Sequence, residues 1–469
     1  MQATHVLIEE SAVAEFGMAF SGPVIRPGDA EYDAARAIFN GMYDRRPAVI
    51  ARCTGVSDVI AAVALARDNG LEVAVRGGGH SVPGYSTCDD GVVIDLTGMK
   101  GVFVDPAART ARAAGGVTWG EFDRETQVFG LATTGGRITT TGIAGLTLGS
   151  GSGWTERTYG FTVDNLLSAQ MVTADGRVVN ASESENPELF WGLRGGGGNF
   201  GVVTSFEYAL HPLGPIVLGG LMAFPRAQAP ELLRTWSDYI QAAPDELNGA
   251  FAFITAPPEE FVPEEVRMQP ICGVIVLYAG PVEEGEPVVK GLKEALGPPA
   301  LDLVMPLPYL GVQQLLDAGN PPGRPQYWKS DTLTEMSDGA IETLVEHANR
   351  VKSPFTVVVI EAKGGAIPRV REDSMALVGR SAPFAFYGIS QWEDPGESDE
   401  HIAWAREFGS AMEPYSGKDI ALNFVMDEGV ERVQATFGPE KYARLVALKD
   451  EYDPQNLFRR NQNIKPSGS

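Results

Sequence analysis

Cysteine, histidine, basic charge and long apolar runs are all scarce in this chain, and each shortage closes a line of interpretation. The three cysteines, Cys53, Cys88 and Cys272, are an odd number and form no CxxC pair. Neither a disulfide framework nor a zinc site is indicated, and no metal is expected. No apolar run approaches the ~20 residues needed to span a bilayer. The opening residues carry Glu9 and Glu10 and lack a basic-then-apolar signal pattern, so a cytoplasmic location is expected. Lysine and arginine number 37 against 61 aspartates and glutamates, a net charge of −24. Nucleic acid and anionic membranes would be repelled as main partners, whereas the charge says little about a small-molecule substrate; a monomer or homodimer is expected. The chain also lacks GxxxxGK(S/T), GxSxG and HExxH, and with them the P-loop, hydrolase-elbow and zincin readings.

What is present is length, an ordinary core composition and glycine. At 469 residues and 44% hydrophobic, the chain has enough for two or three domains. Residues 1–20 read as a leading helix. Asp29 to Tyr43 reads as a helix capped by Asp29, with Tyr32, Ala35, Ile38 and Phe39 on one face. After the strand Ala48–Ala51, Ser57 reads as the cap of a helix Val59–Asn69 that Gly70 ends. Strands follow at Leu71–Val75, Val92–Leu96, Val102–Val104 and Thr110–Ala114, then a helix from Trp119 to Phe129. Leu167–Thr173 and Arg177–Asn180 flank the hairpin signal Asp175-Gly176. Beyond His211-Pro212 glycine thins out. Strands Ile216–Phe224, Ala250–Thr255, Gly273–Tyr278 and Thr356–Glu361 alternate with helices near 228–242, 282–296 and 338–352, which predicts a mostly antiparallel sheet with helices. The polar tail after Tyr442 is expected to pack back on the body.

Four glycine-rich loops stand in the first half, at 77–79, 115–116, 142–153 and 195–201, each read as lying between extended segments. The first presents His80, one of five histidines. Gly196-x-Gly198-x-x-Gly201 has the letters of a dinucleotide fingerprint, but that motif needs a following helix. Here Val-Val-Thr-Ser-Phe-Glu-Tyr follows, which is a strand. Four such loops in one domain suit a large phosphorylated cofactor lying along bare backbone, its phosphates met by amides.

These residues carry a resemblance. Arg76-Gly-Gly-Gly-His80-Ser, Leu148-Gly-Ser-Gly-Ser-Gly-Trp154, Tyr159-Gly-x-x-x-Asp-Asn165, Arg194-Gly-Gly-Gly-Gly-Asn-Phe-Gly-Val-Val203 and the tail motif Tyr452-Asp-Pro-x-Asn-Leu-Phe458 are similar to the FAD-linked oxidases. That is the vanillyl-alcohol oxidase/p-cresol methylhydroxylase superfamily, with its berberine-bridge-enzyme-like and 6-hydroxy-D-nicotine-oxidase-like members. The resemblance implies an α+β fold. An FAD-binding domain of the p-cresol-methylhydroxylase type spans 1–212, a substrate domain 213–420, and residues 421–469 return to the FAD domain. It implies FAD bound by Arg76, Gly77, Gly78, Gly79, His80, Ser81, Gly84, Gly116, Thr140, Gly142, Gly145, Leu148, Gly149, Gly151, Gly153, Trp154, Asn165, Val203, Asn461 and Asn463. It further implies a covalent bond from His80 to the flavin 8α-methyl, for which an exposed, neutral loop imidazole is suited.

Two departures narrow this. Ile138 stands where many relatives carry a second, cysteinyl tether, so a single link is expected; Cys88 reads as a small buried thiol rather than a substitute. Ala421-Leu-Asn-Phe424 stands where relatives often have tyrosines, one of them the base. Tyr387 is the nominated base. Alternation along Phe384–Trp392 puts Ala385, Tyr387, Ile389 and Gln391 on one face, and Phe384, Phe386, Gly388 and Ser390 on the other. Tyr327 and Lys329 are secondary candidates. By the same resemblance Thr141, close to valine in volume, favours access of dioxygen to the flavin. The expected function is an oxidase taking hydride from a C–O or C–N bond of an organic small molecule and passing electrons to dioxygen to give hydrogen peroxide. The alternatives are a flavin dehydrogenase with another acceptor and a flavin-binding protein without turnover.

Overall fold

A computed structural model describes residue 8 and residues 10–260 and 262–468. Of the expected leading helix, Glu10–Ala19 is helical, and the remainder of 1–9 lies outside the described residues apart from residue 8. Short apolar strands build the first half. Val49–Arg52 and Val73–Arg76 both run parallel to Val92–Asp95, with Val24–Ile25 on the edge. The helix Val56–Asp68 makes the crossover, burying Val59, Ala62, Val63 and Ala66. A second, antiparallel sheet takes Val102–Asp105, Thr110–Ala114, Val202–Ala209, Leu166–Val172 and Val178–Ser182 in that order. The last two form the hairpin expected at Asp175-Gly176, with Gly176 at φ +87°.

From 216 to 391 the strands assemble one eight-stranded sheet whose strand pairings are all antiparallel. Its two faces differ by alternation. Phe251, Phe253, Phe384 and Phe386 point to one side, against the helices Ala229–Ala242, Asp338–Ala348 and Ser398–Met412 and residues such as Trp236 and Phe408. Burying each such aromatic stabilises the fold by roughly 1.5–3 kcal/mol. Ala250, Ala252, Ile254, Tyr387 and Ile389 point to the other side, over a cavity. The molecule is thus mixed α+β, with the long helices of the central region on one face of its sheet and only the short helix Tyr309–Gln313, among the described residues, on the other.

Three local expectations change. The helix from Asp29 shrinks to Tyr32–Arg36. Asp29 instead accepts from the amide of Arg26, and Asn40 is spent on distant backbone, donating to Val82 O and Gln326 O and accepting from Gln326 N. Those tertiary bonds hold the chain out of a helix. The helix assigned to a Ser57 cap begins at Val56 with Gly55 as its cap, because the Asp58 carboxylate reaches back to Thr54 N and Ser21 N. The glycine segment at 142–153 opens as a helix, Ile143–Gly149, whose Ile143, Thr147 and Leu148 are buried.

The tail is hydrogen-bonded to the 195–201 loop. The fully buried Lys449 ammonium donates to Asn199 O (2.8 Å), Phe458 O (2.9 Å) and Asp453 Oδ2 (2.7 Å). Asn199 in turn donates to Gln462 O and accepts from Ile464 N. The tail and the 195–201 loop are one hydrogen-bonded unit.

Candidate active site

One cavity of about 1100 Å³ lies between the glycine loops and the free face of the large sheet. On the loop side, the strand Val73–Arg76 delivers Gly77-Gly78-Gly79-His80. Gly78 and Gly142 touch backbone to backbone, so that a Cβ on either would sit 2.2 Å from the other's nitrogen. This contact, with Gly79 at φ +75°, turns the chain and aims His80 at the cavity. The imidazole is not the exposed group expected. It stacks on Phe39 at 3.9 Å between centroids, Nε2 lies 2.8 Å from Thr140 Oγ1, and Nδ1 lies 3.4 Å from Thr141 Oγ1. Burial drives its pKa down to about 4, so the ring is neutral at neutral pH.

The opposite wall holds a buried ionic cluster. Tyr387 donates its hydroxyl proton to Glu361 Oε2 at 3.0 Å. Glu361 Oε1 meets Arg137 Nη1 at 2.8 Å, and its Oε2 meets Lys363 Nζ at 2.9 Å. Lys363 also binds Glu156 Oε1 at 2.8 Å, and Ser152 hydrogen-bonds both carboxylates. Two cations and two anions thus balance, and the Arg137 guanidinium lies over the Trp154 ring at 4.8 Å. Burial alone would raise the Glu361 carboxyl, but Arg137 and Lys363 outweigh it and hold the group well below the carboxylate range. Burial first, then the Glu361 charge, pushes the Tyr387 phenol far above its ordinary value.

Sequence matches bear on this geometry. Residues 47–182 match a family model described as an FAD binding domain, and residues 412–465 match one described as berberine and berberine like. The chain is 33% identical to (R)-6-hydroxynicotine oxidase of Paenarthrobacter nicotinovorans, covering 96% of this chain and 98% of that protein. The chain belongs to the FAD-linked oxidoreductases of the berberine-bridge-like family. Within it, the crystal structure of 6-hydroxy-D-nicotine oxidase from Arthrobacter nicotinovorans superposes with a TM-score of 0.85 at 32% identity, over the whole of both chains. An FAD-linked oxidoreductase of Dictyostelium discoideum is 29% identical over 97% of each chain. A chitooligosaccharide oxidase, at 23% identity and a TM-score of 0.84, covers 98% of this chain and all of its own and shares the fold.

The residues present fit the family's FAD. Bare backbone at Gly77–Gly79 and Gly197–Gly198 lines the cavity, and a buried acceptor, Asn461 Oδ1, has no partner in the protein. Of the residues named from sequence, Gly77, Gly78, Gly79, His80, Ser81, Thr141, Gly142, Gly145, Leu148, Gly149, Trp154, Val203, Tyr387 and Asn461 lie on the cavity wall, and Thr140 adjoins it through His80. The others sit behind it. Arg76 donates to Ala35 O and Ser86 O, and Asn165 Nδ2 donates to Tyr159 O and Phe161 O. Gly84, Gly116, Gly151 and Gly153 pack on Tyr43, Leu96, Thr162 and Gly135, leaving no room for a Cβ. Asn463 faces a smaller side depression with Asp427.

Tyr327 and Lys329 point away from the cavity. Arg406 covers the Tyr327 ring, and Lys329 pairs with Glu428 at 2.7 Å. Phe424 is on the wall, its ring 4.9 Å from that of Tyr387. Ile138 is there too, whereas Cys88 is wholly buried elsewhere, its thiol pushed up to about 12 by burial. Sequence reasoning missed Glu361, Arg137, Lys363, Glu156 and Phe39. The available signal was a carboxylate and an ammonium, Glu361 and Lys363, in alternate positions at the end of the apolar strand Val357–Ala362. Among the described residues no His, Cys, Asp and Glu cluster could hold a metal, and no helix is long and apolar enough to cross a membrane.

Proposed function

We propose that this enzyme is an oxidase with FAD linked once, through His80, that oxidises a C–O or C–N bond of an organic small molecule and returns the electrons to dioxygen as hydrogen peroxide. The FAD unit of this reading is 1–212 with 421–469, and the substrate unit is 213–420. The observation that carries it is the facing of two walls across one cavity: a neutral imidazole on a glycine turn, and opposite it a phenol hydrogen-bonded to a charge-held carboxylate. When bound, the flavin supplies the hydride acceptor and its own reoxidation by dioxygen.

The chain's part is orientation and proton handling. Burial keeps His80 free of a proton, which leaves a ring nitrogen nucleophilic, and Phe39 and the two threonine hydroxyls fix the plane of the ring. Tyr387 is too weakly acidic to act as a free phenolate base. Its oxygen can accept the proton of a substrate hydroxyl while its own proton passes to Glu361, along a bond already in place. Arg137 and Lys363 hold that carboxylate ionised and in register. An amine substrate in its neutral form would need only the hydrogen bond. Thr141, beside His80, is the residue of this reading that leaves dioxygen room.

The test is acid precipitation of purified protein. Yellow, fluorescent flavin should remain in the wild-type pellet and leave it in His80→Ala. Colourless protein, or flavin in the wild-type supernatant, would sink the covalent link. Peroxide formation coupled to anaerobic bleaching by a substrate panel would establish the oxidase.

A further inference from the structure

The cavity does not end at Tyr387. It runs on beneath the same sheet face, past the strand Leu247–Thr255, to the strands Pro270–Tyr278 and Ile216–Pro225. Adjacent strands lie about 4.8 Å apart, so this annex ends about 14–19 Å from the strand that carries Tyr387. Its wall changes character along the way. At the Tyr387 end stand Glu361 and Arg137; in the annex stand Ala223, Ala252, Ile254, Val262, Ile271 and Leu303, with no polar side chain among them. On the strand Leu247–Thr255 the bulk lies on the other side. Phe251 and Phe253 fill the helix-facing core, while Ala250 and Ala252 leave the cavity side hollow.

The outer rim is apolar as well. Met268 and Leu315 line the cavity and are 52% and 40% exposed, and Pro257 and Pro258 line it on the loop that Met268 N bonds through Ala256 O. Large apolar side chains gathered at the mouth of a hollow are the mark of a surface that receives an apolar ligand. The charge at this rim is net acidic: Glu259 lines it, Glu264 and Glu265 follow on the same exposed loop, and the loop's own cation, Arg267, turns back to the Val262 and Glu260 carbonyls.

We infer that the annex is the seat of an extended apolar part of the substrate. The substrate class is a neutral or amine-bearing molecule whose oxidisable group meets Tyr387 and whose hydrocarbon or polycyclic body fills the space from Ala252 to the Met268–Leu315 rim. Molecules ending in a carboxylate are disfavoured there by Glu259. This inference rests on the oxidase reading for its reacting end but not for its apolar one.

Two measurements on the flavin-loaded enzyme separate the two. The first is kcat/KM over homologous primary alcohols and amines of lengthening chain, in wild type and in Ala252→Trp. In wild type, each buried methylene should raise kcat/KM by about fourfold, until the annex is full. In Ala252→Trp the ratio of long-chain to short-chain kcat/KM should fall at least about tenfold. An unchanged ratio overturns the inference. The second uses Nile red, a neutral apolar dye. Saturable binding displaced by decanol, and weakened at least about tenfold in Ala252→Trp, supports the annex even if no alcohol or amine reduces the flavin, an outcome that would count against the oxidase reading alone. No saturable binding, or binding equal in both proteins, overturns it. Ala223→Phe, on a different strand, serves in both measurements if Ala252→Trp fails to fold.

Discussion

Tyr387 and Glu361 divide one task. In the proposed reaction the phenol meets the substrate, and the carboxylate behind it, held ionised by two cations in a buried cluster, receives the phenol's proton. The proton path can therefore be interrupted with little structural cost at one residue only. Tyr387→Phe removes a single buried hydrogen bond, about 1 kcal/mol of stability, and should slow anaerobic flavin reduction by an alcohol about 10²-fold. An amine in its neutral form should lose far less. A change below threefold with alcohols would show that the proton does not travel through Tyr387. The wild-type rate should show no fall from phenol ionisation as pH rises to 10, because burial and the Glu361 charge keep the hydroxyl protonated. Glu361→Gln makes a poorer probe. It strands Arg137 and Lys363 against Glu156 alone, a loss of the order of 3–5 kcal/mol that would mix folding with chemistry.

At the scale of elements, the C-terminal segment acts as a clamp on the 195–201 loop, and Lys449 is its pin. Lys449→Met removes the ammonium and leaves the Asp453 carboxylate buried, bonded only to the amides of Leu457 and Phe458. The urea midpoint should fall by the equivalent of roughly 3–5 kcal/mol. The flavin-to-protein ratio should fall with it, because Asn461 donates to Gly198 O on the same loop. A destabilised variant with full flavin content would show that the clamp does not shape the cofactor's bed. Which elements could be read from sequence follows from how local their causes are. Phe384–Gln391 announces both faces, since aromatic and small residues alternate and nothing distant interferes. The strand after Gly201 is legible because β-branched residues pack poorly in a helix. The helix expected from Asp29 fails because Asn40 is claimed by residues near 82 and 326, which no local window contains. Glu361 escaped for the same reason: its partners Arg137 and Ser152 come from another half of the chain, and only its oddity in an apolar strand hinted at them.

Across the whole molecule, the N-terminal half and the central region meet at a buried joint that carries its own pH sensitivity. Asp123, on the helix Trp119–Gln127, is wholly buried and receives Gln313 Nε2 at 2.7 Å from the short helix Tyr309–Gln313, while its Oδ1 has no partner. The buried Tyr309 is the other titratable group against it, its phenol raised by burial and then by Asp123. Burial raises the Asp123 carboxyl to about 7, against the hydrogen bond from Gln313, which lowers it. A carboxyl so raised binds a proton in the folded state that the unfolded chain has already released. Its contribution is full below the unfolded value near 4 and is lost as pH climbs through about 7. Asp123→Asn keeps an acceptor for Gln313 without a charge to bury. It should therefore melt above wild type at pH 8, by the equivalent of roughly 2–4 kcal/mol, with the difference shrinking steadily to little at pH 4. A difference that stays constant across that range would mean that the joint is held by shape alone, and that Asp123 is ionised throughout.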